Sequence, residues 1–300
     1  MSSTKQLLPP SIIDPILADQ RMDYYTSKKK AVLDGIIHKP EIDHITYEVP
    51  VFLQLLNFLT NGPRTYSGLR VYFASHLPSA TDSGNQYIPA GQENNLTLIF
   101  VPTLAVTKGT TTFNGDDLDN CFIIANNQLV RLSNAGNNTS GKDTASNWIS
   151  HYQQRLPAMN QDGAKITKNA AFNDTKSLWY RMAIFVGSPE LGQPGLVSYI
   201  QDLLKDPVNP LSAIVVRMGC YTPTDKNKSG VLSLEYQMTL LFELHLQNNP
   251  GPNPVIFGTK RRPVVHADSA AVSNGMDPES DTGFPCPPDE CLGSLLPAAS

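Results

Sequence analysis

The chain is poor in charge. Only 17% of its 300 residues are Asp, Glu, Lys or Arg, and the net charge is −4. Without a basic excess no electropositive face is announced, and nucleic acid is not expected as a partner. The one basic run, Lys260-Arg261-Arg262, stands among prolines and reads as a solvated linker. Long apolar runs are also missing. The longest, Val49 to Leu59, is broken by Pro50, Gln54 and Asn57. A membrane-crossing helix needs ~20 apolar residues, so no span is expected. The opening MSSTKQLLPPSIIDP has no charged segment followed by a long apolar one, so no secretory signal is read. A cytoplasmic location is the expectation, with non-classical export left open.

Cysteine is scarce, at four. Cys121 and Cys220 lie in apolar runs and read as reduced core residues. Cys286 and Cys291, in CPPDEC, can close a small disulfide loop or remain two separate thiols. No second CxxC or His pair accompanies them, whereas a structural zinc site takes about four ligands. The phosphate-cradling G-x-x-x-x-G-K-[ST] loop, the G-x-S-x-G elbow and the H-E-x-x-H helix are all missing. No catalytic residue and no cofactor is assigned on sequence. Residues that converge only in space stay outside the reach of such motifs.

What is present is pattern. From Leu232 to Gln247 apolar and polar residues alternate. Leu232, Leu234, Tyr236, Met238, Leu240, Phe242, Leu244 and Leu246 share one parity. Ser233, Glu235, Gln237, Thr239, Glu243, His245 and Gln247 share the other, with Leu241 the exception. Successive strand side chains point to opposite faces, so the pattern predicts a long strand with one buried and one wet face. Leu69–Phe73, Leu96–Val101 and Ile214–Cys220 also read as strands, and Cys121–Leu132 as a hairpin turning at Asn126-Asn127.

Helices are expected over residues 14–38, with Asp14 as N-cap and Pro15 at the first position, and from Pro50 to Asn61-Gly62-Pro63. Three more are expected at about 144–156, from Asp174 to Gly187, and from Pro194 to Asp206-Pro207. Segregated runs of this kind predict an α+β fold, with a mixed or antiparallel sheet covered on one face by helices. Residues 1–249 form one domain in this reading, with N-terminal helices over 14–60 and sheet and helices over 66–247. Residues 250–300 are rich in Pro and Gly and read as an extended or disordered tail, with a short strand at Val255-Ile256-Phe257.

The segments Gly68-Leu69-Arg70-Val71-Tyr72-Phe73-Ala74 and Leu96-Thr97-Leu98-Ile99-Phe100-Val101-Pro102-Thr103 resemble the G-x-R-x-Y-F and L-x-F-V-P-T strands of a set of uncharacterised Bacteroidota proteins. The Cys-Pro-Pro ending is also similar. The resemblance covers about the middle third of the chain and its tail. It implies a bacterial source, and it implies no reaction, cofactor or catalytic residue.

Three clusters can carry chemistry. His38-Lys39-Pro40-Glu41-Ile42-Asp43-His44 gathers imidazoles and carboxylates, and His38, Asp43 and His44 are the candidate ligands of a divalent metal. The plainer reading is a helix-exit loop. Asn114–Asn120 is an acidic turn without the spacing of a calcium loop. Glu243 and His245, on the polar parity of the long strand with Glu235 further along, put a carboxylate and an imidazole on one face that can serve acid–base work, though the plainer reading is a wet sheet face without such a role. Arg70, inside an apolar strand, requires a carboxylate or water, and a structural ion pair is expected.

The leading expectation is a non-enzymatic structural or protein-interaction module. It would self-assemble as a homo-oligomer, or bind another protein, through strand edges and flexible termini. Glu235, Gln237, Thr239, Glu243 and His245 are then the contact residues. The alternative is a metal-dependent, hydrolase-like enzyme built on residues 38–44.

Overall fold

The computed structural model describes residues 13–78, 86–108, 110–132, 141–161, 175–188, 193–224, 237–248, 255–258 and 284–285. Helix α1 (Pro15–Tyr24) begins where Asp14 Oδ1 accepts the Ile16 amide at 2.8 Å. A π-helical segment (Tyr25–Lys30) and α2 (Ala31–Ile37) continue it. The expected single helix is therefore interrupted at its polar middle, where Ser27–Lys30 offer no apolar stripe to hold α register. The wider turn lets Tyr25 point inward. Strand β1 (His44–Glu48) leads directly into α3 (Val49–Asn61).

Next come β2 (Gly68–Ser75), β3 (Leu96–Lys108), β4 (Thr111–Asp116), β5 (Phe122–Ala125) and β6 (Gln128–Arg131). Asn126 and Asn127 turn the β5–β6 hairpin at φ 50° and 55°, the left-handed values that asparagine tolerates best after glycine. Then follow α4 (Gly141–Gln161), β7 (Ser177–Arg181), α5 (Met182–Val186), β8 (Gly187–Ser188), β9 (Gln193–Pro194) and α6 (Leu196–Leu204). The long strands β10 (Leu211–Cys220) and β11 (Met238–Leu246) precede two short ones, β12 (Val255–Gly258) and β13 (Phe284–Pro285).

The helix expected from Asp174 to Gly187 is corrected. Its first half is strand β7, and only Met182–Val186 is helical. Leu178 and Tyr180 alternate with Trp179 at period two, and pairing with β2 settles the choice.

The class is α+β, and among the described residues every strand pairs antiparallel. Instead of one sheet, these residues form two large ones and the small β8-β9 pair. Sheet A has the order β1-β10-β11-β12, and sheet B the order β13-β7-β2-β3-β5-β6, with β4 also on β3. The two share one core. Val71, Phe73, Leu98 and Phe100 of sheet B join Val216, Met218, Leu240 and Phe242 of sheet A in it. Helix α3 stands between them: the Phe52 ring lies 6.4 Å from Phe100 and 6.1 Å from Phe242. A buried side chain of this size contributes roughly 1.5–3 kcal/mol.

Both sheets also carry a layer on the face turned away from this core. On sheet B, Tyr72, Ala74, Ile99 and Val101 pack with Trp148 and Ile149 of α4. On sheet A, Leu241 packs with Ile13, just before the N-terminal helix, and with Ala18 of α1. The polar parity of the long strand is therefore not wet between Gln237 and Glu243. Gln237, Thr239 and Glu243 are all buried, and Leu241, the exception in the alternation, is the anchor for α1. Gly219 fits the same contact, since a Cβ there would stand 3.1 Å from Thr239 Cγ2 and 3.5 Å from Arg21 Cβ. Residues Leu232–Tyr236 lie outside the described residues, as do Cys286, Cys291 and Lys260–Arg262. Cys121 and Cys220 are buried free thiols, and burial pushes the Cys121 thiol up to about 12.

Candidate functional site

The segment joining α2 to β1 is held by groups turned inward. His38 adopts φ 55° and caps α2. Glu41 is buried, and its Oε1 accepts from the amides of Ile42 (2.9 Å) and Leu96 (2.8 Å) and from Asn95 Nδ2 (2.9 Å). The Tyr25 hydroxyl donates to the Ile42 carbonyl at 2.9 Å. Burial and the Glu41 carboxylate hold that hydroxyl well above its ordinary pKa, so it stays a donor. This bracing fixes where β1 begins.

Along β1 the side chains divide by parity. Tyr47 enters the core, its ring 6.0 Å from Phe52 and 6.1 Å from Phe100. His44, Thr46 and Glu48 are exposed on the outer face of sheet A. The Met218 amide donates to the Asp43 carbonyl at 2.8 Å, which sets the phase of the ladder. Ile45 and Tyr47 therefore turn their amides and carbonyls to β10, and His44 and Thr46 turn theirs away from it. Among the described residues β1 pairs with β10 alone, so within them this strand is the edge of sheet A.

Beside the edge lies a charged cluster. Arg217 is the cross-strand partner of His44 and donates through Nε to Glu243 Oε2 at 2.7 Å. His245 Nε2 lies 2.9 Å from the same oxygen. The Glu243 side chain is 4% exposed, against 33% for Arg217 and 39% for His245. The cluster thus has a sealed carboxylate at its base and a more open guanidinium and imidazole above. Next to it, Asp43 and His44 are hydrogen-bonded to each other. Partial burial raises the Asp43 pKa, but the bond to His44, the imidazole and Arg217 outweigh it and hold the carboxyl below its ordinary value. At the other end of β1, Glu48 Oε1 accepts from Asn127 Nδ2 at 2.6 Å, so the β5–β6 turn orients the glutamate.

The expected metal site does not assemble. His38 caps a helix, Asp43 and His44 bond to each other, and no group of three or more His, Cys, Asp or Glu side chains placed to hold a metal occurs among the described residues. The acidic turn is occupied by protein donors. Asp116 accepts from Arg70 Nη1 at 2.6 Å and from the Tyr72 hydroxyl. Asp117 accepts from Arg64 Nη1 (2.7 Å), Tyr66 (3.0 Å) and Asn120 Nδ2 (2.6 Å). The ion pair expected of Arg70 is present and buried, with the Asp116 side chain wholly enclosed.

Of the expected contact residues, Gln237, Thr239 and Glu243 are buried within this chain, so they offer no surface to a partner. His245 remains open, and Glu235 lies outside the described residues. The residues missed are Thr46, Glu48 and Arg217. The signal was available. His44-Ile45-Thr46-Tyr47-Glu48 alternates polar and apolar around a β-branched, aromatic run, a strand pattern hidden between two helices.

No family model, curated protein or solved structure matches the chain. No helix among the described residues is long and apolar enough to cross a membrane.

Proposed function

We propose that this chain is a non-enzymatic interaction module that self-assembles through strand edges in the cytoplasm. The observation that carries the reading is the outer edge of β1, whose outward amides and carbonyls have no strand partner among the described residues and whose side chains there are exposed. Such an edge is a template for another strand, and main-chain hydrogen bonds supply affinity when one adds. Two further features support it. The strand is braced from behind by Glu41 and Tyr25, so little ordering is lost on docking. The side chains along it are mixed polar groups, which lend specificity to pairing.

The test is the mass of the full chain in solution. Mass photometry and light scattering should find species above 32.8 kDa that grow with concentration. A single monomeric species up to about 100 µM, a range that includes weak interfaces, would sink the reading.

A further inference from the structure

We infer that the partner of the β1 edge is β1 of a second copy, paired antiparallel about Thr46. This rests on the reading of the chain as a self-assembling module and names the contact.

The argument is one of register. The groups turned outward belong to His44 and Thr46 and to the amide of Glu48, where the strand passes into α3. A second β1 laid antiparallel with Thr46 opposite Thr46 sets His44 opposite Glu48 of the second copy, and Glu48 opposite His44 of the second copy. The Thr46–Thr46 pair exchanges amide–carbonyl bonds in both directions, and each flank adds a bond from the Glu48 amide to the His44 carbonyl of the other copy. On the outer face the pairing places imidazole against carboxylate twice. It also places threonine against threonine, a favourable cross-strand pair.

On the inner face Ile45, half-buried in the single chain, meets Tyr47 of the second copy. A parallel arrangement through the same edge would instead turn the outer face of the second copy to the opposite side of the sheet, so that His44 and Glu48 of the two copies no longer share a face; the antiparallel one keeps them together. The flanks are prepared for it. Asp43 holds His44 through Nδ1, leaving Nε2 to face outward, and Asn127 holds Glu48 through Oε1, leaving Oε2. The operation is a two-fold axis, so the contact is isologous and closes at a dimer. It joins two four-stranded sheets into one continuous sheet across the axis.

The experiment is sedimentation equilibrium on the full chain and three variants. Thr46→Pro removes an amide that points away from β10, so the native ladder is kept while the edge is blocked. It should weaken dimerisation by about tenfold or more. His44→Glu opposes carboxylate to carboxylate, Glu48→Lys removes the carboxylate that meets the imidazole, and each should weaken it by roughly threefold to tenfold. Mixed in equal amounts, these two should form a heterodimer, because each Glu then meets a Lys or a His. Circular dichroism melts report whether each variant is folded, and recovery in the mixture shows competence of the two charge variants directly. An oligomer unchanged by all three substitutions would overturn this pairing and leave assembly to another edge. A wild-type monomer at every concentration would overturn assembly itself.

Discussion

The outer faces of the two sheets carry the same kind of chemistry under different covers. On sheet B, Arg70, Tyr72 and Asp116 form a network in which Arg70 is 3% exposed and the Asp116 side chain is wholly enclosed. On sheet A, Arg217, Glu243 and His245 repeat the theme of an arginine bound to a carboxylate, but Arg217 is a third exposed. The difference lies in what packs above. Helix α4 brings Trp148 and Ile149 over sheet B. The N-terminal helix reaches sheet A at Leu241 and leaves the end near His44 open. Burial, more than residue type, separates a polar group that holds the scaffold together from one that can meet a partner.

The contrast is broken most sharply at Arg70. Removing it by Arg70→Ala leaves Asp116 as a buried carboxylate without its cation. That should cost about 3–5 kcal/mol, read as a fall in the urea midpoint. A cost no larger than that of the corresponding change on sheet A would show that the two clusters are equivalent. Leu241→Ala tests the cover itself. It should cost about 2–4 kcal/mol, with faster amide exchange concentrated in α1. Uniform destabilisation without local loosening would mean that α1 is held by something other than this contact.

Much of this architecture is readable from residue pattern, and the misses share a cause. The Asp14 cap, α3 with its Asn61-Gly62 stop, the Asn126-Asn127 turn and the β10–β11 pairing follow from local chemistry that tertiary structure leaves alone. The Arg70 ion pair follows from the cost of burying a lone cation, although the identity of its partner does not. Strand β7 was misread because Leu178, Trp179 and Met182 suit either period, and only the neighbouring β2 decides. The wet face expected of β11 failed for a related reason. Thr239 and Glu243 are polar yet buried, and between them Leu241 receives α1, more than two hundred positions away in sequence. Leu241 was the trace of that helix, a single apolar residue on the polar parity. The cluster beside β1 was partly visible as Glu243 and His245, yet Arg217 joins it from another strand, and no spacing rule connects the three.

Arg217→Met should matter less than Arg70→Ala. The methionine keeps an apolar stem at the same place, Glu243 retains His245, and solvent already screens the guanidinium. The expected cost is about 1–2 kcal/mol, measured by the same urea titration. A loss as large as at Arg70 would mean that the open cluster is structural after all.

The smallest effect concerns Asn127, which contributes two things: a left-handed backbone and a bond to Glu48. Glycine keeps the first and removes the second, whereas alanine removes both. Asn127→Gly should therefore change stability by less than about 0.5 kcal/mol. Asn127→Ala should cost about 1 kcal/mol more, the penalty of positive φ for a side chain with Cβ. In the assembly both variants should behave alike, because each frees Glu48 to wander from the position that meets His44 of the second copy. If association weakens only with alanine, the turn matters through the shape of the hairpin, and the aim of the glutamate is irrelevant to it.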